Sequence, residues 1–458
     1  MKKILSTIMA MLMLVGCGSA STNAPASTGG ESSGGEATAA TAEPAPAASN
    51  DTVELEIWLA SVGGPTEWLV GKIQEWEKAN NAKVNVVHPA NYDETYTNLQ
   101  AAIAGGVQPD IALLDPAPAR YLYSKNLAVN LTELGLKSGD YVDAFMDQCT
   151  YDDGAAFAVP IYGTIQIGFY NVELFKKAGV DPDSLKSWQD LVAVADKLKG
   201  AGATYVWEPM GGNAKNMIDA AFANGAKVFA DDGETVTINS PEWVEVFEQF
   251  RKWIHEDKIM TTRWGQGWTY WYETKYDVLQ NVAAGYTGSP VDPFDDWIDP
   301  DSSVDVATNF DFDTMYPREQ FGWNGNESAP WAETLVLCMP KKSDTTKQAK
   351  AFELLQYLTS PEISAGYAIV SGYAASNKGA ADTEEYKKYA EENPVAITLA
   401  KQAAHSSVFP PDPSGQGILN ALNDAASSIQ QDGGTPAQEV LDKAQQIAQA
   451  AVDEALGK

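Results

Sequence analysis

Apolar residues recur along the chain from residue 53 onwards with two different periods. The segment from Val53 to Leu59 alternates apolar and polar positions, which is typical of a half-buried strand. Leu69, Ile73 and Trp76 then share one face at helical spacing, and a second strand is predicted at 83–87. The folded part of the chain therefore begins as strand, helix, strand.

The same order continues beyond the second strand. A helix is predicted from Asp93 to Ile103, closed by Gly105-Gly106, and the segment from Pro109 to Asp115 predicts a third strand that ends in an acid. Strand, helix, strand, helix, strand at this spacing favours a parallel sheet with helices on both faces.

Later segments keep the mixture of strands and helices. Further strands are predicted at 165–170 and 335–339, and further helices at 347–358 and 436–456. Ser187, followed three residues later by Asp190, resembles the capping box that opens a helix. The whole pattern predicts an α/β fold, and the length allows two or three domains.

Charge narrows the possible functions. The 458 residues contain 31 basic and 62 acidic side chains, which gives a formal net charge of −31 at pH 7. A chain this acidic repels nucleic-acid phosphates and anionic lipid headgroups, so nucleic acid is not an expected partner. Its 13 tryptophans, 19 tyrosines and 14 phenylalanines indicate a packed interior beneath the acidic surface.

The N-terminus predicts export. Lys2 and Lys3 precede an apolar run from Ile4 to Val15, which has the length of a signal peptide and is too short to span a bilayer. The run ends in Leu-Val-Gly-Cys17, which resembles the lipobox of bacterial lipoproteins, in which the cysteine is lipidated and becomes the mature N-terminus. A secreted protein with an incidental cysteine is the alternative.

The resemblance to lipoproteins implies an organisation for the N-terminal region. Residues 1–16 would be the signal peptide, and residues 17–52 would form a flexible tether, because no residue between Gly18 and Asn50 is apolar and larger than alanine. We therefore expect an extracytoplasmic protein, anchored to the cell membrane through lipid on Cys17.

Two cysteines and three histidines remain after Cys17. Cys338 lies in an apolar run that predicts a buried strand, which favours inert thiols at Cys149 and Cys338 over a disulfide bond. The histidines are far apart and lack a second ligand at helical spacing, so we expect no metal site and no cofactor.

Catalytic motifs are missing from the sequence. It contains no nucleophile elbow, phosphate-binding loop, dinucleotide fingerprint or zinc-protease helix, and we assign no catalytic residue. A glycosidase, however, requires only two carboxylates across a cleft, and 62 acidic residues leave that pair possible. A secreted glycosidase therefore remains the alternative function.

Tryptophans fall into two groups. Trp76, Trp188, Trp243 and Trp253 occupy helical positions and are expected to pack in the core. The second group lies in glycine-containing segments beside amide or acidic residues, where each ring can either pack internally or stack on a sugar. This second group contains Trp207, Trp264, Trp268 and Trp323.

The order of several segments resembles the family 1 extracellular solute-binding proteins of bacterial ABC importers. The resemblance covers nearly all of the chain after the tether, with one departure, Ala283-Ala284-Gly285, where the family usually has Ala-Ala-Met. The matching segments are Ala104-Gly105-Gly106 with Pro109-Asp110-Ile111, Gly154 to Pro160, Phe169-Tyr170-Asn171 with Leu174 to Gly179, Ser187 to Leu191, Ala351 to Glu362, and Gly433 to Leu456.

This resemblance implies a two-lobe periplasmic-binding-protein-like fold with a central ligand cleft and hinge strands. The hinges would lie near Tyr162 to Gln166 and Thr334 to Leu337. Lobe one would comprise residues 53–163 plus 338–371, and lobe two would comprise residues 164–337 plus 372–458. Closure of the two lobes on a ligand is the motion expected of this class.

The resemblance also implies the ligand-binding residues and the partners. Glu67 and Asp115 would accept hydrogen bonds from sugar hydroxyl groups, and the aromatic rings would stack on the sugar. The alternatives are that Asp115 merely caps a helix and that Tyr373 merely packs beneath the last helical turn. A monomer would bind a carbohydrate and deliver it to the permease subunits of an importer. An anionic sugar phosphate would require a cation in the cleft, but the sequence contains only four arginines, of which Arg263, beside Trp264, is the best placed. A neutral sugar is therefore favoured. The predicted ligand-binding residues are Ser61, Glu67, Asp115, Tyr162, Trp207, Trp264, Trp268, Trp323 and Tyr373.

Overall fold

The computed structural model describes residues 52–60, 63–209, 214–263, 270–291, 312–342 and 344–458. The strands in these segments are β1 (Val53–Trp58), β2 (Ala82–Val87), β3 (Ile111–Leu114), β4 (Ala158–Ile165), β5 (Ile167–Asn171), β6 (Gly285–Gly288), β7 (Met315–Arg318), β8 (Ala332–Cys338) and β9 (Ala374–Ala375).

Helices alternate with these strands as far as Ser124 and mostly follow one another in runs in the rest of the described chain. They are α1 (Gly64–Asn80), α2 (Tyr92–Gly105), α3 (Pro116–Ser124), α4 (Asp143–Met146), α5 (Val172–Ala178), α6 (Trp188–Ala193), α7 (Ala195–Ala201), α8 (Lys215–Ala223), α9 (Pro241–Arg251), α10 (Tyr270–Leu279), α11 (Thr345–Leu358), α12 (Pro361–Ser371), α13 (Glu384–Glu392), α14 (Pro394–Ala403), α15 (Gly417–Gln431) and α16 (Ala437–Leu456).

Sheet one contains six strands in the order β2-β1-β3-β8-β4-β9. Its first three strands are parallel to one another, as the sequence predicts. The return strand β8 lies in the middle and runs antiparallel to both β3 and β4. The sheet is therefore mixed, because a distant strand is inserted beside the parallel unit.

Sheet two contains three antiparallel strands in the order β6-β5-β7. Parallel bridges from Tyr205 to Ala283 and from Glu208 to Tyr286 widen it on one side. The chain passes from sheet one to sheet two at Gln166, since β4 ends at Ile165 and β5 begins at Ile167. It returns between β7 and β8, so the two expected crossing strands are present.

Separate apolar cores lie against the two sheets. One surrounds sheet one and includes residues of α1, α2, α3, α11 and α12. Another joins helices α5 to α9 with α15 and α16. A third, smaller cluster lies near the crossing and contains Ile165, Ile167, Val395 and Leu399.

Side chains predicted to be structural occupy these cores. Trp76, Trp188, Trp243 and Trp253 are all at most 5% exposed, which confirms their packing role. Ser187 and Asp190 form the predicted capping box at the start of α6.

The two cysteines of the described chain are buried free thiols. Burial raises the pKa of both, that of Cys338 to about 12. A thiol with a raised pKa is rarely ionised, so Cys149 and Cys338 are unreactive.

Two features are absent from the described residues. None of their helices is both long enough and apolar enough to cross a bilayer. No three histidine, cysteine or acidic side chains among them come together as metal ligands would.

Gly163 in β4 lies in a tightly packed part of the molecule, next to the point where the chain passes between the two sheets. A Cβ atom on Gly163 would lie 1.9 Å from Cζ of Phe145, whose buried ring cannot swing into solvent. We expect Gly163→Ala to lower the free energy of unfolding by about 1–3 kcal/mol, measured by urea denaturation.

The matched control is Gly71→Ala in α1, where a new Cβ meets no atom within 4 Å. This substitution should leave stability unchanged or raise it by about 0.5–1 kcal/mol, because glycine disfavours a helix interior. Equal stability of the two variants would contradict the packing argument.

Candidate ligand cleft

The carboxyl ends of the parallel strands meet the crossing strands in one row of sheet one. Leu114 at the end of β3 pairs with Val336, which sets Asp115 level with Leu335. Leu335 pairs with Tyr162 on the other side, and Tyr162 pairs with Ala375. Ligands of open α/β sheets bind outside such carboxyl ends, so this row marks the candidate site.

Three tyrosines form a stack beside this row. The ring of Tyr162 lies 4.4 Å from that of Tyr373 and 5.3 Å from that of Tyr367, with interplanar angles of 14° and 18°. Trp68 of α1 meets Tyr367 edge-on at 6.3 Å. We call Tyr162, Tyr367 and Tyr373 the tyrosine stack.

Hydroxyl groups connect the stack to α2. The hydroxyls of Tyr92 and Tyr162 lie 3.4 Å apart. Burial raises the pKa of both phenols, and that of Tyr162 well above its usual range. Both rings therefore stay neutral at physiological pH, and Tyr373 and Trp68 present half-buried ring surface beside them.

Asp115 has the properties of a ligand-binding acid. It precedes α3, yet its carboxylate makes no capping hydrogen bond, so helix capping does not account for it. Burial raises its pKa to about 6, with further contributions from the negative charges of Asp93 and Glu333. A buried carboxylate of this kind accepts hydrogen bonds from hydroxyl groups strongly.

Lys215 fixes the start of β8. Its ammonium group lies 2.9 Å from a carboxylate oxygen of Glu333 and donates a hydrogen bond of 2.9 Å to the carbonyl of Trp331. It also lies 4.1 Å from the centre of the Trp331 ring, which adds a cation–π contact. The first residue of α8 thus holds the strand that returns to sheet one.

Asp219 holds the same segment one helical turn later. Its two carboxylate oxygens accept hydrogen bonds from the backbone N–H of Trp331 at 2.7 Å and from Nε2 of Gln320 at 2.9 Å. Complete burial raises its pKa to about 6, although Lys215 and both hydrogen bonds favour the charged form.

Glutamines complete the contacts at the crossing. Gln320 donates from Nε2 to the carbonyl of Gln166 at 2.8 Å, and Gln402 donates to the same carbonyl. The backbone N–H of Gln320 donates to Oε1 of Gln402. The peptide at which the chain leaves sheet one is therefore held from two sides.

The structure brings some of the predicted residues together. Asp115, Tyr162 and Tyr373 share one region, linked through Tyr92 and the tyrosine stack. Glu67 is exposed in the first turn of α1, next to Trp68. The predicted residues Ser61, Trp264 and Trp268, and the lipidation residue Cys17, lie outside the described residues.

Trp207 does not line the cleft as predicted. It is fully buried against Trp188 and Phe321, and its indole N–H donates to the hydroxyl of Thr287 at 3.0 Å. A ring with covered faces and a satisfied donor has no surface left for a sugar, so Trp207 is a core residue.

Trp323 is corrected in the same way. It is fully buried against Phe250 and Trp253, and its indole N–H donates to Glu245 at 3.1 Å. Arg263 is also engaged, since its guanidinium group binds both carboxylate oxygens of Asp277 at 2.6 and 2.7 Å. Arg263 therefore contacts an internal acid.

Sequence reasoning missed several residues of the region. Glu333 and Trp331 could have been found, since they lie two and four residues before the predicted strand 335–339, next to the expected hinge at Thr334 to Leu337. Lys215 and Asp219 gave no signal, because charged residues of a helix normally face solvent. The missed residues are Trp68, Tyr92, Lys215, Asp219, Trp331, Glu333 and Tyr367.

The arrangement combines flat rings with carboxylates. A sugar presents apolar ring faces and a rim of hydroxyl groups, and it is recognised by aromatic faces together with hydrogen-bond acceptors. Asp115, Glu333 and the half-buried rings beside the tyrosine stack supply these two components.

Comparison with known proteins is consistent with this chemistry. The sequence profile of a family described as bacterial extracellular solute-binding protein matches residues 72–394. The arabinooligosaccharide-binding protein of Bacillus subtilis is 26% identical over 313 residues, which cover 65% of this chain and 68% of that protein.

Solved structures share the fold. The sugar-binding protein MalE from Xanthomonas citri superposes with a TM-score of 0.75 at 14% identity, covering 88% of this chain and 98% of that one. UgpB from Mycobacterium tuberculosis, in complex with glycerophosphocholine, superposes with a TM-score of 0.71 at 18% identity, covering 88% and 100%.

The raised pKa of Asp219 predicts a pH dependence of stability. The folded protein retains the proton up to about pH 6, whereas the unfolded chain releases it near 3.8, so stability from this group falls as the pH rises between these values. We expect the unfolding free energy of wild type minus that of Asp219→Asn to fall by about 2 kcal/mol from pH 4 to 6.5.

Urea denaturation across this pH range measures the difference. Asp232→Asn is the control, because hydrogen bonds from Thr235 and Glu234 lower the pKa of Asp232 to about 2, and its difference should stay flat above pH 4. A flat difference for Asp219→Asn would show that its carboxyl is not destabilised by burial.

Proposed function

Because the chain belongs to the bacterial extracellular solute-binding protein family, we propose that it captures a carbohydrate in the cleft and delivers it to an ABC importer. The observation that carries this proposal is the meeting of the half-buried rings beside the tyrosine stack with the half-buried carboxylate of Asp115. The family consists of binding proteins, which favours this function over a secreted glycosidase.

The comparisons support a sugar as the ligand class. One relative is named for binding arabino-oligosaccharides, and a protein of the same fold is described as sugar-binding. We propose that Asp115 accepts hydrogen bonds from sugar hydroxyls and that Tyr373 contacts a ring face, supported from below by Tyr162. Ser61, Glu67, Trp264 and Trp268 stay predictions.

We also propose the lobe boundaries. Lobe one comprises 53–163 plus 338–371, and lobe two comprises 164–337 plus 372–458. Support comes from the cores, since helices α11 and α12 contribute to the core of sheet one, whereas α15 and α16 pack with α9. Strand β8 lies in sheet one along its whole length, so its residues 332–337, which this boundary counts with lobe two, form part of the connection between the lobes.

At the N-terminus we propose a lipid anchor on Cys17, after cleavage of residues 1–16. Residues 17–52 would then serve as a tether. This organisation places a monomeric binding protein on the outer face of the cell membrane, next to the permease subunits that it serves. The support is the sequence pattern alone, from Lys2 through the apolar run to Cys17.

A thermal-shift panel of neutral oligosaccharides, polyols and sugar phosphates tests carbohydrate binding. A ligand at 100 times its dissociation constant should stabilise the protein by about 2.7 kcal/mol. Asp115→Asn removes a charged acceptor and should weaken the affinity for the best ligand by about 10- to 100-fold, measured by titration calorimetry. Tyr373→Ala should also weaken binding.

The control for Tyr373→Ala is Tyr121→Ala, which removes a ring that is 48% exposed on α3. This variant should bind like wild type. No stabilisation by any carbohydrate would contradict the proposed ligand class. Release of reducing ends from an oligosaccharide by the wild-type protein would instead favour the glycosidase.

Membrane attachment is tested with Cys17→Ser in a bacterial host. The wild-type protein should enter the detergent phase of a Triton X-114 extraction and carry diacylglyceryl at its first residue by mass spectrometry. The variant should appear in the aqueous phase. Identical partitioning of the two proteins would remove the lipid anchor from the proposal.

A further inference from the structure

The paired strands at the crossing carry one polar face. Thr164 of β4 pairs with Glu333 of β8, and Tyr162 pairs with Leu335. Because side chains alternate along strands, Tyr162, Thr164, Glu333 and Leu335 lie on the same face of the strand pair. The same alternation adds Gln166 and Trp331 at the ends of the strands. We call the part of this face formed by Thr164, Gln166, Trp331 and Glu333 the ribbon face.

Three buried polar atoms of the ribbon face have no hydrogen-bond partner among the described residues. They are Oγ1 of Thr164, Oε1 of Gln166 and Nε1 of Trp331. Gln166 is only 5% exposed. Buried polar groups in native proteins are nearly always paired, and leaving one unpaired costs about 1–3 kcal/mol.

The unpaired atoms comprise acceptors and a donor. A hydroxyl group can donate to the amide oxygen of Gln166 and accept from the indole N–H of Trp331, whereas a phosphate can only accept. A polyhydroxylated ligand can therefore satisfy all three unpaired atoms. The hydroxyl of Thr164 both donates and accepts, so it can also hydrogen-bond to a hydroxyl of the ligand.

Negative charge surrounds this face. Glu333 belongs to it, and the charges of Asp93 and Glu333 both act on Asp115. Lys215 is the cation nearest to Glu333 in the described contacts, and it is paired with that carboxylate at 2.9 Å. An anionic ligand would therefore meet carboxylates, with their nearest cation already neutralised.

The arginines cannot offset this charge. Arg120 and Arg251 bind Asp152 and Glu248, and Arg263 binds Asp277. Arg318 is buried and donates to the backbone carbonyls of Pro182, Leu185 and Glu319. These are all the arginines of the sequence, and residues 61–62, 210–213, 264–269, 292–311 and 343 contain no lysine, arginine or histidine.

We infer that the ribbon face is a subsite for a neutral, polyhydroxylated sugar ring and that it rejects phosphorylated ligands. This inference rests on the proposed capture of a carbohydrate and specifies the charge of the ligand and its contacts. The sugar hydroxyls receive the hydrogen bond from Trp331 and donate to Gln166 and Thr164. Binding thereby satisfies groups that have no hydrogen-bond partner among the described residues.

Thr164→Val separates this role from a structural one. Valine has the same shape but lacks the unpaired hydroxyl, so the free protein should be as stable as wild type or more stable in thermal unfolding. Affinity for the best neutral oligosaccharide of the panel should fall by about 5- to 15-fold, since one hydrogen bond is lost.

The matched control is Thr237→Val, whose hydroxyl donates to the carbonyl of Lys227 at 2.8 Å. This variant should show the opposite pattern, with reduced stability and wild-type affinity. Wild-type affinity in Thr164→Val, in a protein that binds the neutral sugar, would overturn the subsite and leave carbohydrate capture standing.

Ligand charge is tested with matched pairs on the wild-type protein. The best neutral monosaccharide unit is compared with its phosphate ester, and glycerol with glycerol 3-phosphate, in calorimetry at pH 7.5. The neutral member should bind at least about 100-fold more tightly, which corresponds to about 2.7 kcal/mol. Tighter binding of the phosphorylated member would overturn the inference, whereas no binding of any carbohydrate would overturn the proposed function itself.

Discussion

The antiparallel pairing of β4 with β8 is the constraint on which the rest of the structure depends. These strands are the two connections between the sheets, and they are hydrogen-bonded to each other from Ala158 to Ile165. Their pairing places β8 next to β3, so that Asp115 lies level with Tyr162. Without it, the carboxyl ends of the parallel strands would not face the crossing, and rings and carboxylates would not share a site.

Polar contacts with helix α8 hold the paired strands β4 and β8 in register. Lys215 binds Glu333 and the carbonyl of Trp331, while Asp219 binds the N–H of the same tryptophan. The cost of burying a lysine and an aspartate is offset here because each charge has a partner and most hydrogen bonds are made. These contacts of Lys215 and Asp219 therefore fix where β8 begins, and with it the position of the ribbon face.

Much of the fold could be predicted from periodicity, but the direction of the return strand β8 could not. The alternation at Val53–Leu59 and the helical spacing of Leu69, Ile73 and Trp76 were sufficient for the parallel unit. An apolar run such as 335–339 indicates that a strand is buried on both faces. It does not indicate whether the strand runs parallel or antiparallel to its neighbours. The antiparallel insertion of β8 follows from a long-range pairing that no local pattern encodes.

The candidate site was predictable only where position and chemistry coincide. Asp115 was predicted because the family resemblance places cleft residues in loops that follow strands, and an acid directly follows the buried strand β3; its contact with a ligand stays a prediction. Trp207 and Trp323 were misassigned because an aromatic residue in a glycine-containing segment has no period that separates packing from binding. Tyr367 was missed for the converse reason, since it lies in an apolar helix and resembles a core residue although it completes the tyrosine stack.

The position of the polar face on the connecting strands has a consequence for how binding and closure are related. A ligand can shift a conformational equilibrium only by as much as its affinities for the two states differ. Contacts with Thr164, Gln166 and Trp331 belong to the connecting strands β4 and β8 and their ends, so they contribute similarly in open and closed states. Preference for closure must then come from contacts that form only when both lobes reach the ligand, such as a contact of Asp115 in the proposed lobe one together with contacts of the proposed lobe two. The ribbon face thus sets which ligand binds, whereas residues farther from the hinge determine how strongly binding closes the cleft.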